Sequence, residues 1–386
     1  MLFSIYKNIH SVINRKTFGL WYNEYKEYDG DEKNMQNKML TISKMEPKRG
    51  GVMVEKPVPE IKDDEILVKV LATSVCGTDV HIYQWDPWAQ SRIPVPQTMG
   101  HELAGEVVKI GSRVSHIQVG DIVSAETHIV CGLCEFCLSG QAHICKNTKV
   151  LGVDRDGAFA QYIAIPAINA MVNDPTVPPE LLCVQEPLGN AVHTVLSGEI
   201  IGKTVAVVGV GPIGIMAVDV AKAVGAAKVI AIDINDYRLN LAKELGADHI
   251  INAKDADVVS IVRGLTKGAG VDVVCEMSGS GFALNQALNY VKDGGRVSIL
   301  GIPTKPVEIE VGKNIVFKGL TIHGITGRRM YQTWFQVKAL IDSGRLHLDK
   351  IITHKLPWEQ YEKAMELMES GNCGKIVLMV SHPEDN

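Results

Sequence analysis

The sequence predicts an α/β protein built from a β-rich first part and a doubly wound parallel sheet. Three observations predict it. Short β-type runs broken by Gly, Pro and Asp fill the first half of the chain. Strand-like and helix-like segments alternate from Thr204 to Leu300. A glycine-rich turn, followed at a fixed interval by an acid, heads that alternation.

Taken in order, Gly51 to Val54, Glu65 to Val70, Leu103 to Val108 and Asp121 to Ser124 read as strands of an all-β region with many turns. The texture changes around Glu186. Thr204 to Val208 then reads as a short buried strand, followed by the glycine turn and an apolar helical stretch through Val224. Lys228 to Ile232 is the next strand, with a helix over Tyr237 to Leu245. Val271 to Cys275 and Arg296 to Leu300 continue the alternation, which implies a parallel sheet. After Thr326, helical segments near Tyr331 to Ser343 and Trp358 to Ser370 precede a last strand, Lys375 to Met379, expected to return to the first part.

Length and charge narrow the class of function. A chain of 386 residues suits two or three domains. The net charge of −5 excludes a chain-wide basic field, so no nucleic-acid partner is expected. No membrane partner is expected either. The longest apolar stretch, Val205 to Val218, is broken by Gly209, Gly211, Pro212 and Gly214 and falls short of the roughly 18 residues a spanning helix needs. Eight cysteines are too few for a disulfide framework in a chain this long. Four of them crowd into Cys131 to Cys145, which points to metal binding in a reducing compartment, here the cytoplasm.

Residues 1–38 stand apart. Seven of the 22 aromatic residues fall within the first 28 positions, and the first acid is Glu24, after Lys7, Arg15 and Lys16. A secretory signal would need a longer apolar centre and a small-residue cleavage site. An organellar transit peptide is one reading. The preferred one is a disordered or accessory extension, or translation from a start upstream of Met35 or Met39.

Gly209-Val-Gly211-Pro-Ile213-Gly214 directly follows a strand and opens a helix. The first glycine permits the tight turn, the second lets backbone approach a pyrophosphate, and the third allows close helix–strand packing. The helix N-terminus offers free N–H groups to the phosphates. Asp233 ends the next strand, 19 residues beyond Gly214, where it can bind ribose hydroxyls and repel a 2′-phosphate. NAD is therefore expected over NADP, with Arg238 on the adenosine side. A glycine turn that merely packs is the plain alternative.

Cys131, Cys134, Cys137 and Cys145 are spaced C-x2-C-x2-C-x7-C. Two-residue gaps bring successive sulfurs to one tetrahedral point, and four thiolates leave no open position, so a zinc here is structural. An iron–sulfur cluster is the competing use of four cysteines. Cys76-Gly-Thr78-Asp-Val-His81 is expected in a loop after a strand, and Gly100-His101-Glu102 follows. Cys and His together suit zinc, and three protein ligands leave a place for substrate.

On these motifs the chain from about Met39 onward resembles the zinc-containing medium-chain alcohol dehydrogenase family. Glu126-Thr-His128-Ile-Val-Cys131, Glu186-Pro-Leu-Gly-Asn-Ala-Val-His-Thr194, Gly324-Ile-Thr-Gly-Arg-Arg329 and Ser370-Gly-Asn-Cys-Gly-Lys-Ile-Val377 carry a closer match. The resemblance implies a GroES-like β-rich catalytic domain at 39–188 and 327–386, and a Rossmann domain at 189–326. It implies that Cys76, His101 and Glu102 hold the catalytic zinc and the four clustered cysteines the structural one. Thr78 and His81 would form a proton relay through the cofactor ribose, and Glu186 would aid proton transfer or coordinate loosely. Ile213, Asp233, Arg238, Leu300, Gly301, Ile302, Ile325 and Thr326 would contact NAD.

The implied reaction is oxidation of the small-molecule substrate L-threonine at its 3-hydroxyl by NAD+, with a polyol or vicinal diol as the alternative substrate. A homotetramer is implied as well. For an amino-acid substrate, Arg328 or Arg329 can take the carboxylate, and His128 and Glu186 are candidates near the amino group. Cys183, Cys275, Cys373, His193 and His323 read as structural residues.

Overall fold

The computed structural model describes residues 38–383, so the reading of residues 1–37 lies outside the described part. A strand not anticipated in the sequence, Lys38–Lys44, opens the fold and pairs antiparallel with Val52–Pro57 and Gln97–Thr98. Its centre, Leu40-Thr-Ile-Ser43, alternates apolar and polar as a strand does, yet Thr41 and Ser43 are buried and Leu40 is exposed.

The β-rich part is organised by a seven-stranded sheet. Glu65–Ser74 lies at its middle, paired antiparallel with Glu102–Ile110 and Tyr162–Pro166. The strand Lys375–Met379 returns to it, pairing antiparallel with the end of Glu65–Ser74 and parallel with Ile352–Pro357. The end of the chain is thereby stitched beside the strand that leads into Cys76.

The parallel sheet has six strands. Their order is His249–Asn252, Lys228–Asp233, Thr204–Val208, Val271–Glu276, Val291–Ile299 and Thr321–Gly324. Every neighbouring pair runs parallel. This is the doubly wound order, with its switch point between Thr204–Val208 and Val271–Glu276, where a crevice opens beyond the strand ends. Near-continuous Val, Ile and Ala in these strands follow from burial of both faces.

One apolar core is shared by both parts. It contains Ala72 and Ala104 of the first sheet, Leu188 and Val192 of the helix Gln185–Val195, and Val205 and Val218 of the parallel-sheet layer. That helix is buried along almost its whole length and carries Glu186 in its first turn. Its far end is closed by Arg296, which reaches from the parallel sheet. The Nη2 of Arg296 donates to Val195 O at 3.0 Å and Nη1 to Thr194 O at 3.4 Å, with Ser197 and Ser298 alongside. A buried cation satisfies carbonyls that have no partner within the helix and meets the negative end of its dipole.

Arg296→Met keeps much of the side-chain volume and removes every donor. It is expected to destabilise the fold by about 2–4 kcal/mol, since buried carbonyls lose a charged partner. A urea unfolding midpoint that falls at unchanged m-value measures this.

Candidate active site and metal centres

The four clustered cysteines fold onto one another. Cys134 and Cys137 lie 3.5 Å apart at sulfur, Cys145 and Cys131 3.5 Å, and Cys134 and Cys145 3.9 Å. A tetrahedral zinc with Zn–S near 2.3 Å has sulfur–sulfur edges of about 3.8 Å, so the donor set fits. Backbone N–H groups of Cys131 and Asn147 point at Cys145 Sγ. Those of Leu133 and Cys134 hold the Cys131 thiol down to about 6, favouring the thiolate a metal needs. His143 stands outside the cluster, its ring edge-on to His193 at 5.7 Å.

Cys76, His101 and Glu102 form the second group, with donor atoms within 4.8 Å of one another. The Cys76 segment is a helix, Gly77–Gln84, rather than the expected loop. Cys76 caps it, and Asp79 reaches back so that its Oδ2 accepts from Cys76 N at 2.9 Å. The run Gly-Thr-Asp-Val-His has weak helix propensity, so this reciprocal cap is what defines the helix. Thr78 and His81 lie three residues apart on it, sharing a face.

Buried Asp79 also stands behind His101, 3.6 Å from Nδ1, and accepts from Gly100 N at 3.2 Å. Burial alone would lower the basicity of His101, but the Asp79 carboxylate and Cys76 reverse that and raise it well above the ordinary range. A carboxylate behind Nδ1 leaves Nε2 as the donor to a metal.

Glu102 is fully buried and split in role. Its Oε2 is held by Lys375 and by the Ser74 hydroxyl, whereas Oε1 is buried with no hydrogen-bond partner. An orphaned carboxylate oxygen beside Cys76 and His101 is the mark of a cation site. Burial raises the Glu102 acid above its ordinary value, opposed mainly by Lys375. Ser74, Asp79 and Lys375 have no role in the sequence reading. Lys375 in particular looks there like an ordinary strand residue, and only strand pairing brings it to Glu102.

A buried ionic network lies beside this group. Arg328, 1% exposed, donates through Nε to Glu126 Oε2 at 2.8 Å and through Nη2 to Glu126 Oε1, and Nη1 binds Glu186 Oε1. Asn190 and Thr127 complete its shell, and Trp334 Nε1 donates to Glu126 at 2.7 Å. The guanidinium that the sequence offers to a substrate carboxylate is therefore already occupied by protein carboxylates. Spacing along the chain could not reveal partners about 140 and 200 residues away.

His128 sits against this network, its Nδ1 3.5 Å from Arg328 Nη2 and 3.7 Å from Glu126. Burial, reinforced by the Arg328 charge, pushes His128 down to about 4, so it is neutral at physiological pH. Arg329 instead lines a separate cavity of about 290 Å³ with His143 and Gln141.

At the dinucleotide turn, Gly209 has φ +82°, and a Cβ there would meet Ser278 at 2.6 Å. A Cβ on Gly214 would lie 2.0 Å from Gly209 O, so helix and strand pack at a distance only glycine allows. Gly211 caps the helix Pro212–Ala223, and Arg238 Nη1 lies 3.8 Å from where its Cβ would be. The Nε of Arg238 is buried and unpartnered. Asp233 accepts from Val210 N at 2.7 Å and from Ile234 N and Asn235 N, which fixes its carboxylate at the strand end. Turn, helix end, acid and an unpartnered guanidinium nitrogen together fit a dinucleotide. Leu300 and Gly301, just past the strand Val291–Ile299, donate backbone N–H to Glu276 O at the end of the neighbouring strand, and Ile302 is exposed beside them. Ile325, bonded to Ile299 O, continues the last strand, and Thr326 follows it.

Comparison with known proteins agrees with this geometry. Residues 62–175 match the alcohol dehydrogenase GroES-like domain and residues 212–343 the zinc-binding dehydrogenase domain. An L-threonine 3-dehydrogenase of Caldanaerobacter subterraneus subsp. tengcongensis is 56% identical over 89% of this chain and 99% of its own. The chain belongs to the zinc-containing medium-chain alcohol dehydrogenase family. Solved structures with this fold include an Escherichia coli alcohol dehydrogenase complexed with NADH, at TM-score 0.81 and 28% identity over 89% of this chain and all of that one. A 2R,3R-butanediol dehydrogenase of Bacillus subtilis gives TM-score 0.80 at 28% identity, over 88% and 99% of the two chains. The GroES-like and Rossmann halves expected from the sequence are thus the architecture of the family.

For a family member with two metal centres, Cys137→Ser should lower zinc from two ions per chain to one, read by elemental analysis after dialysis. Retention of both ions would show that the four sulfurs do not form a closed site.

Proposed function

We propose that this protein oxidises L-threonine at its 3-hydroxyl with NAD+, giving L-2-amino-3-oxobutanoate and NADH. The observation that carries this is the 56% identity to an L-threonine 3-dehydrogenase along nearly its whole length, against 28% to the butanediol dehydrogenase. The domain limits 39–188 with 327–386, and 189–326, are part of the reading. So are a reducing, cytoplasmic location and a homotetramer. The edge strand Thr321–Gly324, with exposed Ile322 and nearby exposed Phe317, supports pairing with a second copy.

Zinc held by Cys76, His101 and Glu102 would supply acidification of the substrate hydroxyl, and NAD+ held at the glycine turn would supply the hydride acceptor. The chain supplies the rest. Cys76, His101 and Glu102 hold the metal, with Asp79 and Lys375 fixing the last two. Thr78, 3.9 Å at Oγ1 from Cys76 Sγ, receives the hydroxyl proton and passes it toward His81. Glu186 presents Oε1 to Thr127 and Arg328, which leaves Oε2 for the substrate ammonium. His128, neutral, can accept from the same ammonium group. Arg328 acts by orienting Glu126 and Glu186.

NADH formation compared for L-threonine, sorbitol, butane-2,3-diol and ethanol, each with NAD+ and NADP+, tests the reading. L-threonine with NAD+ is expected to give the highest kcat/KM, by about tenfold or more. A diol preference would leave metals and fold standing and overturn the substrate.

Arg328→Met strands two buried carboxylates. It should destabilise the protein by about 3–5 kcal/mol and lower kcat more than it raises KM for NAD+. Thermal melting together with steady-state kinetics reads both effects.

A further inference from the structure

The helix that carries Thr78 and His81 ends at Trp85, whose backbone is left-handed (φ 60°, ψ 45°) although it has a Cβ. That turn folds the chain back on itself. Trp85 N and Asp86 N both donate to His81 O, at 3.0 and 3.4 Å. Asp86 is thereby placed beside the His81 ring, with Oδ2 2.7 Å from Nδ1. Its other oxygen is fixed too, since Asp86 caps the next helix, Pro87–Arg92, and Oδ1 accepts from Ala89 N at 2.9 Å. The Trp88 indole packs edge-on against the imidazole, 6.1 Å between centroids at 64°. Ring, carboxylate and cap therefore form one rigid corner.

We propose that Asp86 is a positioning residue that sets the tautomer of His81, making Nε2 the nitrogen that takes the substrate proton. The argument is one of donors and acceptors. An ionised carboxylate only accepts, so Nδ1 must carry the hydrogen and the lone pair must lie on Nε2. Although partial burial works against it, the Ala89 N–H and His81 keep Asp86 below the usual carboxylate range. When Nε2 takes the proton, the imidazolium formed keeps its Nδ1–H bond to a charged acceptor. The proton then leaves to water, which reaches the ring because the His81 side chain is 56% exposed. No bond other than N–H forms or breaks at His81, and no electrons are transferred there. The inference deepens the threonine-oxidation reading and rests on it for the role of His81 as relay.

The cap and the tautomer can be separated by substitution. Asn and Ser both keep a good helix cap. Asn can turn its NH2 toward Nδ1, which forces the hydrogen onto Nε2 and blocks proton uptake. Ser is too short to reach Nδ1 and leaves the tautomer free. With the zinc-loaded full chain, Asp86→Asn is expected to lower kcat for L-threonine by about tenfold or more with KM little changed. Asp86→Ser should lower it by less, and Asp86→Glu should restore most of it. Equal activity of the Asn variant and the wild type would overturn the proposal. So would equal loss in Asn and Ser.

A second measurement does not depend on turnover. Solid-state nitrogen NMR on ring-labelled histidine, with the His81 signals assigned by their loss in His81→Gln, should show Nδ1–H in the wild type and Nε2–H in Asp86→Asn. The same tautomer in both overturns the proposal. A wild type inactive on L-threonine but showing this tautomer switch would instead overturn the substrate reading alone.

Discussion

The arrangement rests on a constraint of charge in a dry place. Arg328 hydrogen-bonds Glu126 and Glu186 at once, and all three are buried. Glu126 comes from the end of the first sheet, Glu186 from the helix between the two sheets, and Arg328 from the segment leaving the last parallel strand. One guanidinium therefore joins both halves at the point where catalysis needs a fixed geometry. Its two-pronged grip on Glu126 sets a direction as well as a distance, which a lysine could not do.

The formal charges around this point do not balance within the protein. Among the described residues, Glu102, Glu126, Glu186 and Asp79, beside the Cys76 sulfur, face Arg328 and Lys375 as permanent cations. Buried anions in such excess are costly unless a cation joins them. A zinc ion removes most of the surplus, and the remainder suits a cationic group, such as the ammonium of an amino acid or the oxidised nicotinamide ring. The same imbalance explains why Glu102 keeps one oxygen unpartnered. The Asp79 carboxylate and Cys76, two members of this group, are what raise the basicity of His101.

Much of this was legible in the sequence, and the boundary of legibility has a physical meaning. The four cysteines, the glycine turn and Asp233 are local patterns, in which spacing alone brings the atoms together. The strand alternation is legible because a sheet buried on both faces has to be built from apolar runs. What stays hidden depends on partners distant in sequence. Lys375 lies 273 residues from Glu102, and only the pairing of the last strand with Glu65–Ser74 makes them neighbours. Arg328 reads as a partner for a substrate carboxylate because its own acids lie on other elements. The helix Gly77–Gln84 reads as a loop because one reciprocal cap, rather than composition, holds it.

The two metal groups differ in the way their functions require. The four-cysteine lobe is held by short-range geometry and backbone N–H groups, so its shape follows from the short stretch Cys131 to Asn147 and needs little from the rest of the molecule. The Cys76 group draws on three separate supports: Asp79 from its own helix, Lys375 from the returning strand, and Ser74 from the central strand. A closed site only has to persist. A site with an open position has to keep its ligands fixed while substrate and product exchange, and rigid outside partners supply that stiffness. The same logic extends to the surface end of the proposed relay, where Trp85 holds a disfavoured backbone geometry and thereby brings Asp86 onto His81. Strain kept at that corner is consistent with a ring whose orientation matters to the reaction.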